Sequence, residues 1–167
     1  TTPDIPLTEE QLSLNPSLNE LLHNWGVEVA YDVVVDLASH AGSDVGSPAT
    51  KRYLPHSALK DKLDYTFFVR PRSLSMKQGR RKSLKVIPFI LTASEEKSWG
   101  ETNRFLQVKF DDDDRKGPVP IAMVVMEKRE ENEVSDTRLM VISDADFLSN
   151  LYINHYSNAQ LGLNAIN

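Results

Sequence analysis

Apolar residues recur along this chain in two rhythms, and the changes between them mark its elements. In "NPSLNELLHNWG", Leu18, Leu21, Leu22 and Trp25 fall at i, i+3, i+4 and i+7, which puts one apolar face on a helix. Asn15 can cap that helix, Pro16 suits its first position and Gly26 closes it. "VEVAYDVVVD", Val27 to Asp36, is rich in β-branched residues and predicts a strand ending in an acid. From Leu37 to Arg52 the pattern dissolves into Ser, Gly, Ala and Pro, a long loop of the kind that carries function or moves.

Beyond the loop, "SALKDKL" predicts a short helix, "YTFFVR" a strand ended by Pro71, and "SMKQGRRKS" a basic turn. Leu84 to Ser94 reads as a strand in which Pro88 calls for an edge or a bulge. "SWGETNRFLQ" is helix or loop. "VPIAMVVME" is nearly continuous apolar sequence, as expected of a central strand covered on both faces. The connection from Glu127 to Thr137 is charged and has no apolar helical face, so "RLMVIS" is expected to return antiparallel as a hairpin. "DADFLSNLYI" then gives a short helix, "NHYSN" a loop and "AQLGLNAIN" a last helix. No repeat, heptad run or internal domain break is visible.

Composition narrows the function classes. The 167 residues are 40% hydrophobic and 26% charged, ordinary for one globular domain. A net charge of -5 offers no general attraction to phosphate backbones, which argues against a nucleic-acid partner. The absence of cysteine excludes thiolate metal sites, disulfides and a Cys nucleophile. No window approaches the roughly 18 to 20 apolar residues of a membrane helix. The opening "TTPDIPLTEEQL" has neither a basic nor an apolar leader region, and the ending breaks off in a helical pattern, so a piece of a longer protein is expected.

The candidate chemistry centres on Asp144 and Asp146, a D-x-D at the end of a strand, where open α/β sheets place ligand sites. A metal-dependent phosphatase-like site would need a Lys and further acids in supporting positions, and none has that form. The simpler expectation is that Asp144 or Asp146 caps the helix beginning at Phe147. "DDDDRKG", Asp111 to Gly117, fails as a calcium loop because Met123 stands where a bidentate Glu is required. The five basic residues of Lys77 to Lys85 lack interleaved aromatics and read as an exposed turn. His23, His40, His56 and His155 have no zinc spacing. No nucleophile elbow and no nucleotide-binding glycine loop is present, so neither a catalytic residue nor a cofactor is expected.

Several segments, in order, resemble a known family: "LNELLHNWGVEVAYDVVVD", "LTASEEKSWGET", "GPVPIAMVVME" and "RLMVISDADFLSNLYINHYSNAQLGLNAIN". Together they are similar to the auxiliary domain of uncharacterized ABC-type transport systems, the family of the gliding-motility-associated auxiliary protein. The resemblance runs from about Leu18 to Asn167, and its last segment is the most specific. It implies a three-layer Rossmann-like α/β domain, of glutamine-amidotransferase-like or flavodoxin-like form, with a mixed sheet. It implies a periplasmic or otherwise extracytoplasmic location, membrane anchoring through segments outside this chain, and an ABC permease and ATPase as partners. In that setting Asp144 and Asp146 serve local structure, with Asn150 and Asn158 bracketing the loop that follows.

The leading expectation is a non-catalytic binding or scaffolding domain of such a system. A second is a small-ligand receptor, for saccharide or peptide, with the Leu37 to Arg52 loop and Trp99 lining a cleft. A third is a metal-dependent hydrolase or transferase using Asp36, Asp144 and Asp146. A homodimer is expected through Val27 to Val35 or the Leu18, Leu21, Leu22 and Trp25 face, if the family's usual first strand lies outside the chain.

Overall fold

A computed structural model describes residues 18–55, 63–103, 107–127 and 137–166. The elements are α1 (Leu18–Asn24), β1 (Val27–Val29), β2 (Val33–Asp36), β3 (Ala49–Thr50), β4 (Arg52–Tyr53), β5 (Thr66–Phe67), β6 (Leu74–Met76) and β7 (Leu84–Leu91). Then come β8 (Ser98–Glu101), β9 (Arg115–Lys116), β10 (Pro120–Glu127), β11 (Thr137–Ile142), a 3₁₀ turn over Asp146–Leu148, and α2 (Asn158–Ile166). The largest sheet runs β11-β10-β7-β4, a second runs β2-β8-β9, and β1-β6 and β3-β5 form two-stranded ribbons. Every strand pairing among the described residues is antiparallel.

β10 organises the core because both its faces are covered. Val119, Ile121, Ala122 and Val124 join Phe68, Phe89, Phe147 and Leu161 on one side. Met123 and Val125 join Val27, Leu74, Leu84 and Val86 on the other. Strict alternation would send Ile121 and Ala122 to opposite faces, yet both enter the first cluster. The reason is a register shift against β7 between Pro120 and Ala122, and a second between Ala122 and Met123. Each leaves one residue unpaired and turns the strand. The second lies opposite Pro88, where the sequence called for an edge or a bulge. Burying each large side chain here contributes about 1.5–3 kcal/mol.

The Rossmann-like three-layer expectation is overturned. The described elements are mostly β, the two α-helices stand before β1 and after β11, and none forms a crossover between parallel strands. A parallel sheet needs a crossover of a dozen or more residues, usually helical. Here neighbouring strands among the described residues run antiparallel and need no such crossover. The apolar run of β10 was a true sign of two-sided burial, but strands, loops and the C-terminal segment provide the cover.

Other elements also depart from expectation. Val27 to Asp36 is two strands rather than one: β1 pairs with β6, β2 pairs with β8, and the chain bends between them. Asp32, at that bend, accepts from the Ser73 N–H at 2.8 Å and the Ser73 hydroxyl at 2.6 Å. "SWGE" is a strand, β8, rather than helix or loop. β11 pairs with β10 as the hairpin reading has it, and lies at the sheet's edge. The expected helix in "SALKDKL" and most of the hairpin connection fall outside the described residues, as do Asn15 and Pro16.

The surfaces expected to form a homodimer are partly internal and partly exposed. Val27, Val34 and Val35 are fully buried, and the second edge of β2 is taken by loop backbone, with Val34 N–H donating to Pro71 O and Asp36 N–H to Val45 O. Leu22 and Trp25 pack against the second cluster, while Leu18 and Leu21 remain exposed. Gly26 closes α1 at φ 75, a conformation that favours glycine. No described helix is long and apolar enough to cross a membrane.

One core-edge phenol gives a pH signature. Tyr53 Oη donates to Asp64 O at 2.9 Å and lies 2.9 Å from the Thr66 hydroxyl. Burial raises its pKa from 10.0 to about 12, opposed by the Thr66 hydrogen bond and aided by the Asp64 charge. A raised folded-state pKa means that this contribution to stability is full below pH 10 and is lost as pH climbs through the folded value. Ultraviolet titration of the five tyrosines should show one ionising late, and Tyr53→Phe should remove that late step. A single uniform tyrosinate transition near the ordinary value would contradict the burial.

Candidate functional site

The short strand β5 has two edges, and they are satisfied by different means. On one side it pairs with β3, and Phe68 N–H continues that side by donating to Pro48 O at 3.1 Å. On the other side the C-terminal segment replaces a strand. Ser157 N–H donates to Tyr65 O at 2.9 Å, Phe67 N–H donates to Asn158 Oδ1 at 3.2 Å, and Val69 N–H donates to Asp144 Oδ2 at 2.9 Å. Two side chains thus answer the alternate N–H groups of an edge that would otherwise be open.

Both side chains also shape their own segment. Asp144 accepts from the N–H groups of Asp146 at 2.8 Å and Phe147 at 3.3 Å, which is the expected cap, although it opens a 3₁₀ turn and not an α-helix. Burial pushes the Asp144 pKa above the ordinary carboxylate value; the three backbone donors act against that push and the Asp146 charge adds to it. Asn158 is fully buried and donates through Nδ2 to Phe147 O and Tyr152 O, each at 3.2 Å. Asp146 and Asn150 are exposed. The structure therefore joins Asp144 and Asn158 in one clamp, and leaves Asp146 and Asn150 at the surface.

The remaining sequence candidates lie elsewhere. Asp36 is fully buried and accepts from Ala38 N–H, Ser39 N–H, Ser94 N–H and the Ser94 hydroxyl at 2.7–3.0 Å, a knot that ties two loops to β2. Trp99 is buried too; its indole N–H donates to Glu101 at 3.0 Å and its ring meets Phe110 edge-on. It is not part of the lining of the cleft described next. Among the described residues no three His, Asp or Glu side chains are grouped to hold a metal ion. The acids of "DDDD" fold back on their own turn, Asp114 accepting from Thr102 and Asp111.

A cleft of about 410 Å³ opens beside the clamp. One wall is the long loop, through Ala41, Gly42, Asp44 and Ser47; Phe67 and Val69 of the β5 segment lie next to it; Tyr152, His155 and Tyr156 complete the lining. Phe67 anchors these rings edge-on, with centroid distances of 5.3 Å to Tyr152, 5.6 Å to Tyr156 and 6.2 Å to His155. Asp44 accepts from Gly46 N–H at 3.0 Å and from the Ser47 hydroxyl at 3.2 Å, and Arg70 Nε lies 3.7 Å away. Tyr156 and Arg70 both adopt left-handed backbone, at φ 51 and 48, uncommon for residues other than glycine.

The long loop was legible as a cleft wall; Phe67, Tyr152, His155 and Tyr156 were not. The signal of the last three lay in "YINHY", where three rings crowd a short polar stretch that composition alone assigns to a loop.

No family model matches the chain, and no curated protein matches it. Among solved structures, one described as "mmIFT52 N-terminal domain" is similar, with a TM-score of 0.56 and 13% identity over 87% of this chain and 54% of that one. The chain thus spans about half the length of that solved chain. At this identity the likeness is one of fold, and it joins the antiparallel sheets in setting aside the Rossmann-like expectation.

Proposed function

We propose that this chain is a non-catalytic binding or scaffolding domain, an extracytoplasmic auxiliary component of an ABC-type transport system. The observation that carries the binding reading is the fate of the D-x-D segment. Asp144 is occupied by three backbone N–H groups, and the segment it opens supplies one wall of the cleft. Those contacts give the acid a structural task and give the loop after it a surface for a partner. Asp36 likewise accepts from four donors, which gives a second residue of the hydrolase reading a structural task. The transport assignment rests on the sequence resemblance of "DADFLSNLYINHYSNAQLGLNAIN" and of the earlier segments, not on the fold.

The experiment is affinity purification of the protein, as its own cells make it, from their membranes. An ATPase subunit and a multispan permease should accompany it, and protease added to intact cells or spheroplasts should reach this domain. Recovery without an ATPase subunit, or protection of the domain until lysis, would reject the transport reading. A small-ligand receptor is the second reading, favoured by the cleft itself.

A further inference from the structure

We infer that the cleft between the 41–47 loop and the Tyr152–Tyr156 segment receives a basic side chain, a lysine or arginine presented by a polypeptide partner; the inference rests on reading the chain as a binding domain. Ring-rich clefts attract cations through the negative faces of their aromatics, Tyr included. Here Tyr152 and Tyr156 share the cleft with a single carboxylate, Asp44, and no lysine or arginine lines it. An anionic ligand would meet the Asp44 carboxylate in the lining, while the neighbouring cation, Arg70, is already drawn to that carboxylate from outside the lining. A neutral saccharide could lie against the same rings but would gain nothing from the charge.

The protein already shows the mode of occupancy. Arg70 holds its guanidinium 3.7 Å from Asp44 Oδ2, with both side chains almost half exposed, so the pair is weak and readily exchanged for an incoming cation. The rest of Asp44 is fixed in the loop by Gly46 N–H and the Ser47 hydroxyl, which aims the carboxylate without neutralising it. The left-handed backbone of Tyr156 and Arg70 lies at these same two positions, as strained residues often do at ligand clamps.

The test uses amide chemical shifts of the folded chain, titrated with N-acetyl-lysine methylamide and N-acetyl-arginine methylamide. The controls are the neutral N-acetyl-norleucine methylamide and methyl glucoside. Saturable shifts at Gly42, Ser47 and Tyr156 are expected with the cationic probes, about fivefold tighter than with norleucine, and weaker in high salt because exposed charges are screened. Asp44→Asn keeps the Oδ1 acceptor for Gly46 and should reduce the cationic probes to the level of the neutral one. Tyr156→Ala, at an exposed ring, should weaken them about two- to fivefold. Arg70→Gly suits the left-handed backbone, preserves the Arg70 N–H bond to Gly46 O as a main-chain contact, and should tighten the cationic probes by up to about fivefold. Equal binding of norleucine or glucoside, no saturable shift with any probe, or weaker binding in Arg70→Gly would overturn the inference. Such a result beside intact co-purification of transporter subunits would leave the proposed function standing, whereas basic-probe binding without those subunits would reject the transport reading alone.

Discussion

Replacing Phe147 by alanine is expected to lower stability by about 3–5 kcal/mol, the usual cost of emptying a buried aromatic site. Phe147 is 2% exposed and lies within the first core cluster, its ring centroid 5.5 Å from that of Phe68. Its main chain is held as well, the N–H by Asp144 and the carbonyl by Asn158. That backbone grip leaves little freedom for the segment to collapse into the cavity, which places the cost toward the upper end. The measurement is denaturant unfolding: the midpoint should fall while the slope with denaturant stays constant. Leu151→Ala, in the same segment but 66% exposed, should stay within about 0.5 kcal/mol. A Phe147→Ala loss below about 1 kcal/mol would mean that the C-terminal segment does not share the core.

Asn158→Ala is expected to cost about 3 kcal/mol, because one truncation strands two main-chain groups, Phe67 N–H and Phe147 O, and takes one of two donors from Tyr152 O, which keeps the His155 N–H. Each buried group left without a partner costs about 1–3 kcal/mol, and the two share one side chain, so the costs do not simply add. Asn158→Asp is the sharper variant. It retains an acceptor for Phe67 N–H, loses both donors, and introduces a charge where the residue is fully buried. Burial would raise the pKa of that carboxyl, so the variant should be least stable at neutral pH and recover as pH falls through the raised value. A pH-independent deficit equal to that of Asn158→Ala would show that only the lost hydrogen bonds matter.

The β10–β11 hairpin, the closing role of Gly26 and the cap at Asp144 could be read from the chain because each depends on neighbours in sequence. The sheet order could not. An apolar run such as "PIAMVVME" states that both faces are covered and is silent on what covers them, which here is chiefly strands and loops, joined by Leu161 of α2 on one face and Leu22 of α1 on the other. The break in "VEVAYDVVVD" was hidden because Asp32 is held by Ser73, 41 positions away. The cleft was half legible for a similar reason. Loop 37–52 announced itself by composition, but its aromatic counterpart comes from the far end of the chain and is brought there by Asn158 and Asp144 gripping β5.

That grip has a consequence for how the two sides of β5 respond to fluctuation. The amide protons of Phe67 and Val69 are guarded by side chains of the C-terminal segment, whereas that of Phe68, between them in sequence, is guarded by main chain beside β3. Three consecutive amides therefore belong to two different cooperative units. Detachment of the C-terminal segment would expose the first and third to deuterium while the middle one stayed protected, so that hydrogen exchange along a few residues of one strand separates local release from loosening of the sheet.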